Sequence, residues 1–126
     1  MKRLVLDLDG TITIEEPDVG YADKRPNLEV IAKIKQYKSL GFTIVIATAR
    51  NMRTYANSIG HINAKTLPTV IEWLNKHDVP YDEIYVGKAW CGVDGFYVDD
   101  KAIRPKEFET LSYEQILTLI GDRSSK

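Results

Sequence analysis

An α/β fold with a mainly parallel sheet is predicted by three features of this sequence. Short apolar runs at residues 4–8, 42–47, 84–86 and 96–98 have the length of buried strands and are bounded by turn residues. Helical apolar spacing fills intervals between the early runs and the segment after the last one. Each run also ends directly on polar residues able to do chemistry, as expected where a ligand site lies beyond the carboxyl ends of parallel strands.

The first strand, residues 4–8, meets a turn at Asp9-Gly10. Residues 12–27 are polar and broken by Pro17, Gly20 and Pro26, which reads as a loop or small flap. Asn27 suits an N-cap, and Leu28, Ile31, Ile34 and Leu40 supply an apolar helical face stopped by Gly41. The second strand follows at 42–47. Residues 50–64 are ambiguous: Met52, Tyr55, Ala56 and Ile59 form one face of a short helix if Gly60 ends it. A firmer helix begins near Pro68, carries Val70, Ile71 and Leu74, and must end before Pro80. Strands at 84–86 and 96–98 come next. Ser112 and Gln115 have capping-box spacing and open a final helix with Ile116, Leu117 and Ile120, stopped at Gly121. The order strand, helix, strand, helix, strand, strand, helix shows no repeat and no linker, so a single domain over residues 1–126 is expected.

Composition narrows the function classes. With 17 Lys+Arg against 18 Asp+Glu and a net charge of -1, the chain lacks the basic surface that coats nucleic acid. Apolar content of 44% with 8 Gly and 5 Pro excludes collagen-like and disordered readings. A single cysteine, Cys91, cannot form an internal disulfide, so no oxidising compartment is implied. Asp7 and Asp9 interrupt the amino-terminal apolar run before a signal-type region forms, and no apolar run reaches membrane-spanning length. A cytoplasmic protein is the expectation.

The strand-end residues are Asp7 and Asp9 after the first strand, Thr48 and Arg50 after the second, Lys88 after the third, and Asp99 and Asp100 after the fourth. Carboxylates meeting at one place repel one another unless a cation sits among them. A divalent metal together with Lys88 is the simplest answer. Magnesium takes oxygen ligands, keeps several waters and is commonly held by one or two carboxylates plus a substrate phosphate oxygen, which suits Asp7 with Asp99 or Asp100. His61 and His77 are the only histidines, and no Cys/His spacing suits zinc. Asp7 and Asp9 lie two residues apart and point the same way by strand period. One carboxylate of such a pair can attack phosphorus to give an acyl phosphate. The other, its proton affinity raised by like-charged neighbours, can protonate the leaving oxygen and later deprotonate water. Gly10 permits a sharp turn and close approach of a phosphate, Thr11 and Thr48 offer hydroxyls, and Lys88 can neutralise the transferring group.

Asp7-Leu8-Asp9-Gly10-Thr11, Thr48, Lys88 and Asp99-Asp100, in that order, resemble the four motifs of the haloacid dehalogenase-like (HAD) phosphohydrolases over residues 3–101. The resemblance implies a three-layer Rossmann-like core and a magnesium-dependent phosphomonoesterase working through an aspartyl-phosphate. It makes Asp7 the nucleophile and Asp9 the general acid/base, whose main-chain carbonyl also reaches the metal. Thr48 and Lys88 hold the phosphoryl group, Gly10, Thr11, Ala49 and Arg50 line the substrate, and Asp99 and Asp100 anchor magnesium. Asp at the second motif position implies a phosphatase or phosphomutase rather than a dehalogenase or transport ATPase. The segments where this family inserts a cap are short, leaving only the flap at 12–26. The chain thus resembles small capless phosphatases of bacterial capsule and surface-polysaccharide pathways, which implies a sugar- or lipid-linked phosphate as substrate. An open site of this kind draws selectivity from its flap, from a bulky substrate, or from a neighbouring subunit of a homo-oligomer that supplies a lid. The gap from Lys88 to Gly95 departs from the family because it is too short for a crossover helix.

Other readings stand beside these. A receiver-type signalling module also uses acidic residues, Thr, Lys and magnesium at strand ends, but it takes its phosphoryl group on a mid-chain Asp, where this chain has Thr48. A phosphate-binding module without turnover would not need the full motif set. Arg50 and Arg53 either clamp a second anionic group or are solvated residues at a helix start. Tyr21, Trp90 and Tyr97 either line the mouth of the site or pack, and Cys91 packs.

Overall fold

The structure is a computed structural model that describes residues 2–121. The chain forms two compact units, Met1–Trp90 and Cys91–Lys126.

The first unit is built on a parallel sheet of β1 (Arg3–Leu6), β2 (Thr43–Thr48) and β3 (Glu83–Val86), in the order β1-β2-β3. Leu6 pairs with Ile46, and Thr48 pairs with Val86, so the strands end close together. Ile44, Val45 and Ile46 are consecutive and all buried, because a central parallel strand is covered on both faces. α1 (Leu28–Ser39) joins β1 to β2; Asn27 caps it by accepting from the Val30 N–H, and Gly41 leaves it at φ 92°. Its buried stripe is Val30, Ile31, Ile34 and Tyr37, with Tyr37 meeting the Phe42 ring edge-on at 5.0 Å. α2 (Ile59–Lys65) and α3 (Leu67–Lys76) join β2 to β3. Pro68 sits in the first turn of α3, as the sequence predicts, and Val70, Trp73 and Leu74 form its buried face.

The ambiguous stretch resolves differently from the expectation. Residues 50–57 are turns with Asn51, Ala56 and Asn57 at positive φ, and the helix begins only at Ile59, so Gly60 lies inside it rather than ending it. Ser58 nucleates that helix by accepting from the His61 N–H, and buried Ile62 anchors it.

Residues 12–27 form a strapped loop. Thr13 bridges Pro26 in antiparallel fashion, Ile14 N–H donates to the Arg25 carbonyl at 2.9 Å, and Asn27 N–H donates to the Ile12 carbonyl at 2.8 Å. Ile12 and Thr13 are buried, and a single 3₁₀ turn at Tyr21–Asp23 crosses the tip. The Trp73 indole N–H donates to the Lys24 carbonyl at 2.8 Å, which fastens the loop to α3. No cap domain is inserted among the described residues.

The second unit carries α4 (Pro105–Thr110) and α5 (Tyr113–Leu119), with Phe108 and Ile116 buried. The Ser112–Gln115 capping box forms as predicted. α4 is an addition to the expected elements; Pro105 in its first turn and Glu107 accepting from the Arg104 N–H at 2.9 Å are its start signals. The expected strand at 96–98 is absent among the described residues. Phe96 and Val98 are 79% and 88% exposed, and a strand needs a ladder partner for its backbone groups. No described helix is long and apolar enough to cross a membrane.

Candidate active site

β1 delivers Asp7 at its carboxyl end, and the chain then turns sharply. The Leu8 carbonyl accepts from the N–H groups of Thr11, Ile12 and Thr13, at 3.2, 2.9 and 3.1 Å. Gly10 occupies φ 82°, where a residue with a Cβ would be strained, and its N–H donates to Thr13 Oγ1 at 3.2 Å. Asp7, Asp9, Gly10 and Thr11 are thereby fixed around one tight turn.

Asp7 is half-buried. Removal from water pushes its proton affinity up; the Lys88 ammonium, 3.7 Å from Oδ1, and a hydrogen bond from the Leu8 backbone oppose this without cancelling it. Lys88 is itself held at the end of β2, its N–H donating to the Thr48 carbonyl at 3.2 Å. The short link after Lys88 therefore does not displace it from the strand ends.

Asp9 is in the opposite state. Arg50 grips it with two bonds, Nε to Oδ2 at 3.0 Å and Nη2 to Oδ1 at 2.7 Å, and Lys24 Nζ adds a third at 3.1 Å to Oδ1. Burial works to raise its pKa, but these cations outweigh burial and hold the carboxyl below the usual carboxylate range. The sequence argument put the raised proton affinity on the acid/base partner. In the structure it falls on Asp7, because both buried cations face Asp9.

Those cations are themselves enclosed. The Arg50 side chain is 1% exposed, so the solvated reading of this residue fails. Its guanidinium carbon lies 4.2 Å from the centre of the Tyr21 ring, and Lys24 Nζ lies 5.0 Å from the same ring. Arg50 Nη1 is buried with no hydrogen-bond partner among the described residues. Lys24 also meets Glu15 through both carboxylate oxygens at 2.9 Å. Thr48 is fully buried, and its hydroxyl accepts from the Arg50 N–H at 3.0 Å, which turns the chain through Ala49. Arg53 remains exposed, with Trp90 near it at 5.7 Å from ring centre to guanidinium.

Lys24, Glu15 and the stacking role of Tyr21 were missed as site residues in the sequence. Only an acid–base–aromatic mixture in a broken segment hinted at them. Asp99 and Asp100 belong to the second unit, where both are exposed and Asp99 Oδ1 accepts from the Lys101 N–H at 3.0 Å. That backbone bond and a hydrogen bond from Asp100 lower the Asp99 pKa. Among the described residues no group of three or more His, Cys, Asp or Glu gathers to hold a metal ion. The oxygen donors of the Asp7 turn nevertheless fit magnesium, which needs only one or two carboxylates beside water and substrate oxygens. Lys88 balances the desolvated charge of Asp7 only in part.

This parallel α/β unit carries a carboxylate pair on the turn after its first strand, a buried hydroxyl at the end of the second and an ammonium after the third, where ligand sites of such sheets lie. The model of the haloacid dehalogenase-like hydrolases matches residues 4–75, more than half of the chain, and the protein belongs to that family. A crystal structure of a Vibrio cholerae protein is 54% identical, covers 100% of both chains and superposes with a TM-score of 0.91. Two structures of a Pnkp1/Rnl/Hen1 complex, one described as an RNA repair complex, are each 19% identical. They superpose with TM-scores of 0.51 and 0.52, over 68% and 87% of this chain and 25% and 34% of theirs, and share the fold. Nothing among curated proteins matches the chain.

Proposed function

We propose that this hydrolase is a magnesium-dependent phosphomonoesterase acting through an aspartyl-phosphate, with residues 1–126 forming one hydrolase domain. The observation that carries the reading is the pairing of Asp7 with Lys88 at the end of β1, two residues from an Asp9 held charged by Arg50 and Lys24.

In this reading an Asp7 oxygen attacks phosphorus and the bond to the leaving oxygen breaks. Lys88 spreads its charge over the nucleophile and the transferring group. The Thr48 hydroxyl, whose oxygen is already oriented by the Arg50 N–H, donates to a phosphoryl oxygen. Asp9, which takes up a proton from solvent as substrate binds, gives that proton to the leaving oxygen, then takes one from the water that opens the acyl phosphate. An arriving phosphoryl dianion raises the proton affinity of Asp9, offsetting the pull of Arg50 and Lys24. Arg50 acts here by aiming Asp9, while Gly10, Thr11 and the Ala49 backbone leave room for the phosphate. Magnesium would be held by the Asp7 carboxylate and the Asp9 carbonyl, with Asp99 or Asp100 as the further proposed anchor, and would supply charge neutralisation. A sugar- or lipid-linked phosphate of surface-polysaccharide synthesis is the proposed substrate class, and the cytoplasm the proposed location.

The test is phosphate release from a small aryl phosphate, with magnesium and with excess chelator, beside intact-mass measurement of the enzyme. Magnesium-dependent release with a phosphate added at Asp7 is expected. Full activity in chelator, or labelling that survives Asp7→Asn, would overturn the proposal.

A further inference from the structure

We propose that the loop over residues 12–27 is a wall that seats the acid/base group rather than a lid over the substrate. Tyr21 is its positioning residue: the ring shields the Arg50–Asp9 pair from water and so keeps Asp9 aimed at the leaving oxygen. The catalytic part of this inference rests on the function proposed above; the shielding does not.

Four observations carry it. The loop is fastened on both of its sides. Thr13 bridges Pro26, Arg25 donates to Glu16 through Nε at 2.8 Å and Nη2 at 3.1 Å, and the Lys24 carbonyl accepts from Trp73. The second observation is the balance of charge. Arg50 and Lys24 face Asp9, and Lys24 also faces Glu15. Two cations thus meet two carboxylates, and this cluster holds no surplus positive charge for a second anionic group of a substrate. Its work is done on Asp9.

The third is the cover. Arg50 and Lys24 are buried, whereas Tyr21, whose ring lies against both, is 41% exposed. One ring therefore stands between two cations and solvent. Water kept away from a bidentate pair cannot compete for its hydrogen bonds, which strengthens them and holds the carboxylate in one orientation. The fourth is the orphaned Arg50 Nη1, buried with no hydrogen-bond partner among the described residues. A buried donor left unpaired is costly, and the negative face of an aromatic ring is a compensation that an aliphatic side chain cannot offer. Tyr21 and Lys24 leave one 3₁₀ turn three residues apart, so the ring and the ammonium reach Asp9 from the same short segment.

The first arm of the experiment reads the shield alone. Nitrogen-15 NMR follows proton exchange at Arg50 Nε, assigned by its loss in Arg50→Lys, in the native protein, Tyr21→Leu and Tyr21→Phe. Exchange about tenfold faster or more is expected in Tyr21→Leu, with the native rate recovered in Tyr21→Phe, which keeps the ring face. Equal exchange in the native protein and Tyr21→Leu overturns the shield. Tyr21→Met, which also lacks a ring, takes the place of Tyr21→Leu if the latter does not fold.

The second arm compares an alkyl phosphate with a dinitrophenyl phosphate, because acid help matters most to a poor leaving group. Tyr21→Leu should lower kcat on the alkyl phosphate by about tenfold or more, with KM little changed. First-turnover release of dinitrophenol should stay near the native rate. A raised KM with unchanged kcat would make Tyr21 a substrate contact, and equal losses on both phosphates would make it merely structural; either overturns the positioning role. In a Cys91→Ser background, Glu16→Cys and Arg25→Cys joined by a short bismaleimide tie the loop shut on itself. Turnover should survive the link, and its loss on linking would make the loop a moving lid. If exchange responds to Tyr21 as expected while the native protein releases no phosphate from either compound with magnesium, the shield stands and the proposed function fails.

Discussion

The turn after β1 and the segment around Asp99 and Asp100 each present two aspartates, and the protein treats them in opposite ways. On the turn, Asp7 is desolvated beside one distant ammonium, and Asp9 is clamped by two buried cations. In the second segment both carboxylates face water, with only a local backbone bond to Asp99. In the proposed mechanism, the difference separates residues whose protonation must be fixed from residues that only offer ligands. A proton carrier and a nucleophile need an enforced environment, whereas metal anchors only need to be present and charged.

The largest expected effect tests the cost of that enforcement. Asp7→Asn should reduce turnover below detection, yet hold or raise the thermal midpoint at neutral pH. The sign follows from the raised folded-state pKa: the native state favours the protonated form, so ionisation at neutral pH opposes folding, and an amide removes that opposition. The difference in midpoint should vanish as pH falls below the carboxylate range. A marked loss of stability on Asp7→Asn at neutral pH would contradict this account of the turn.

Next comes Asp9→Asn, which retains the nucleophile. Turnover should fall by about 10²–10⁴-fold. With an aryl phosphate bearing a good leaving group, phosphoenzyme should accumulate and appear by intact mass, because hydrolysis still lacks its base. Near-native steady turnover would remove Asp9 from the mechanism.

Stability reads the same carboxylate differently. Asp9→Ala leaves Arg50 and Lys24 buried without their shared partner and should cost about 3–5 kcal/mol in denaturant unfolding. Because the Asp9 pKa is lowered in the folded state, its contribution is present at neutral pH and is lost as pH falls through that lowered value. A smaller effect is expected at the other segment: Asp99→Ala should shift the stability of the described chain by no more than about 0.5 kcal/mol, as for exposed surface changes. A loss as large as that of Asp9→Ala would mean the two acidic pairs are held alike.

The sequence makes the strand-end logic visible, since Asp7, Thr48 and Lys88 each follow an apolar run that forms a strand. Caps were equally legible at Asn27, Pro68 and Ser112, where the signal is local and chemical. What local pattern does not reveal is pairing across the chain. Lys24 and Arg50 meet Asp9 from 15 and 41 residues away, and that distance decides which aspartate carries the raised proton affinity. Residues 96–98 show the converse limit. Their composition suits a strand, but a strand exists only where a neighbour accepts its hydrogen bonds. The helix at Pro105–Thr110 escaped because its single buried residue, Phe108, leaves no periodic stripe to read.

The hydrogen bond from the Trp73 indole to the Lys24 carbonyl makes the active-site loop optically visible. Trp73 is 2% exposed, its ring centre 4.4 Å from that of His77 and tilted 47° to it, whereas the other tryptophan, Trp90, stands 44% exposed. In a Trp90→Phe protein the intrinsic fluorescence therefore comes from one buried indole bonded to the loop that holds Lys24 against Asp9. Any ligand that loosens or tightens that loop changes the polarity and bonding of the emitter itself, so emission wavelength reports on the loop without a label, a substrate turnover or an added probe.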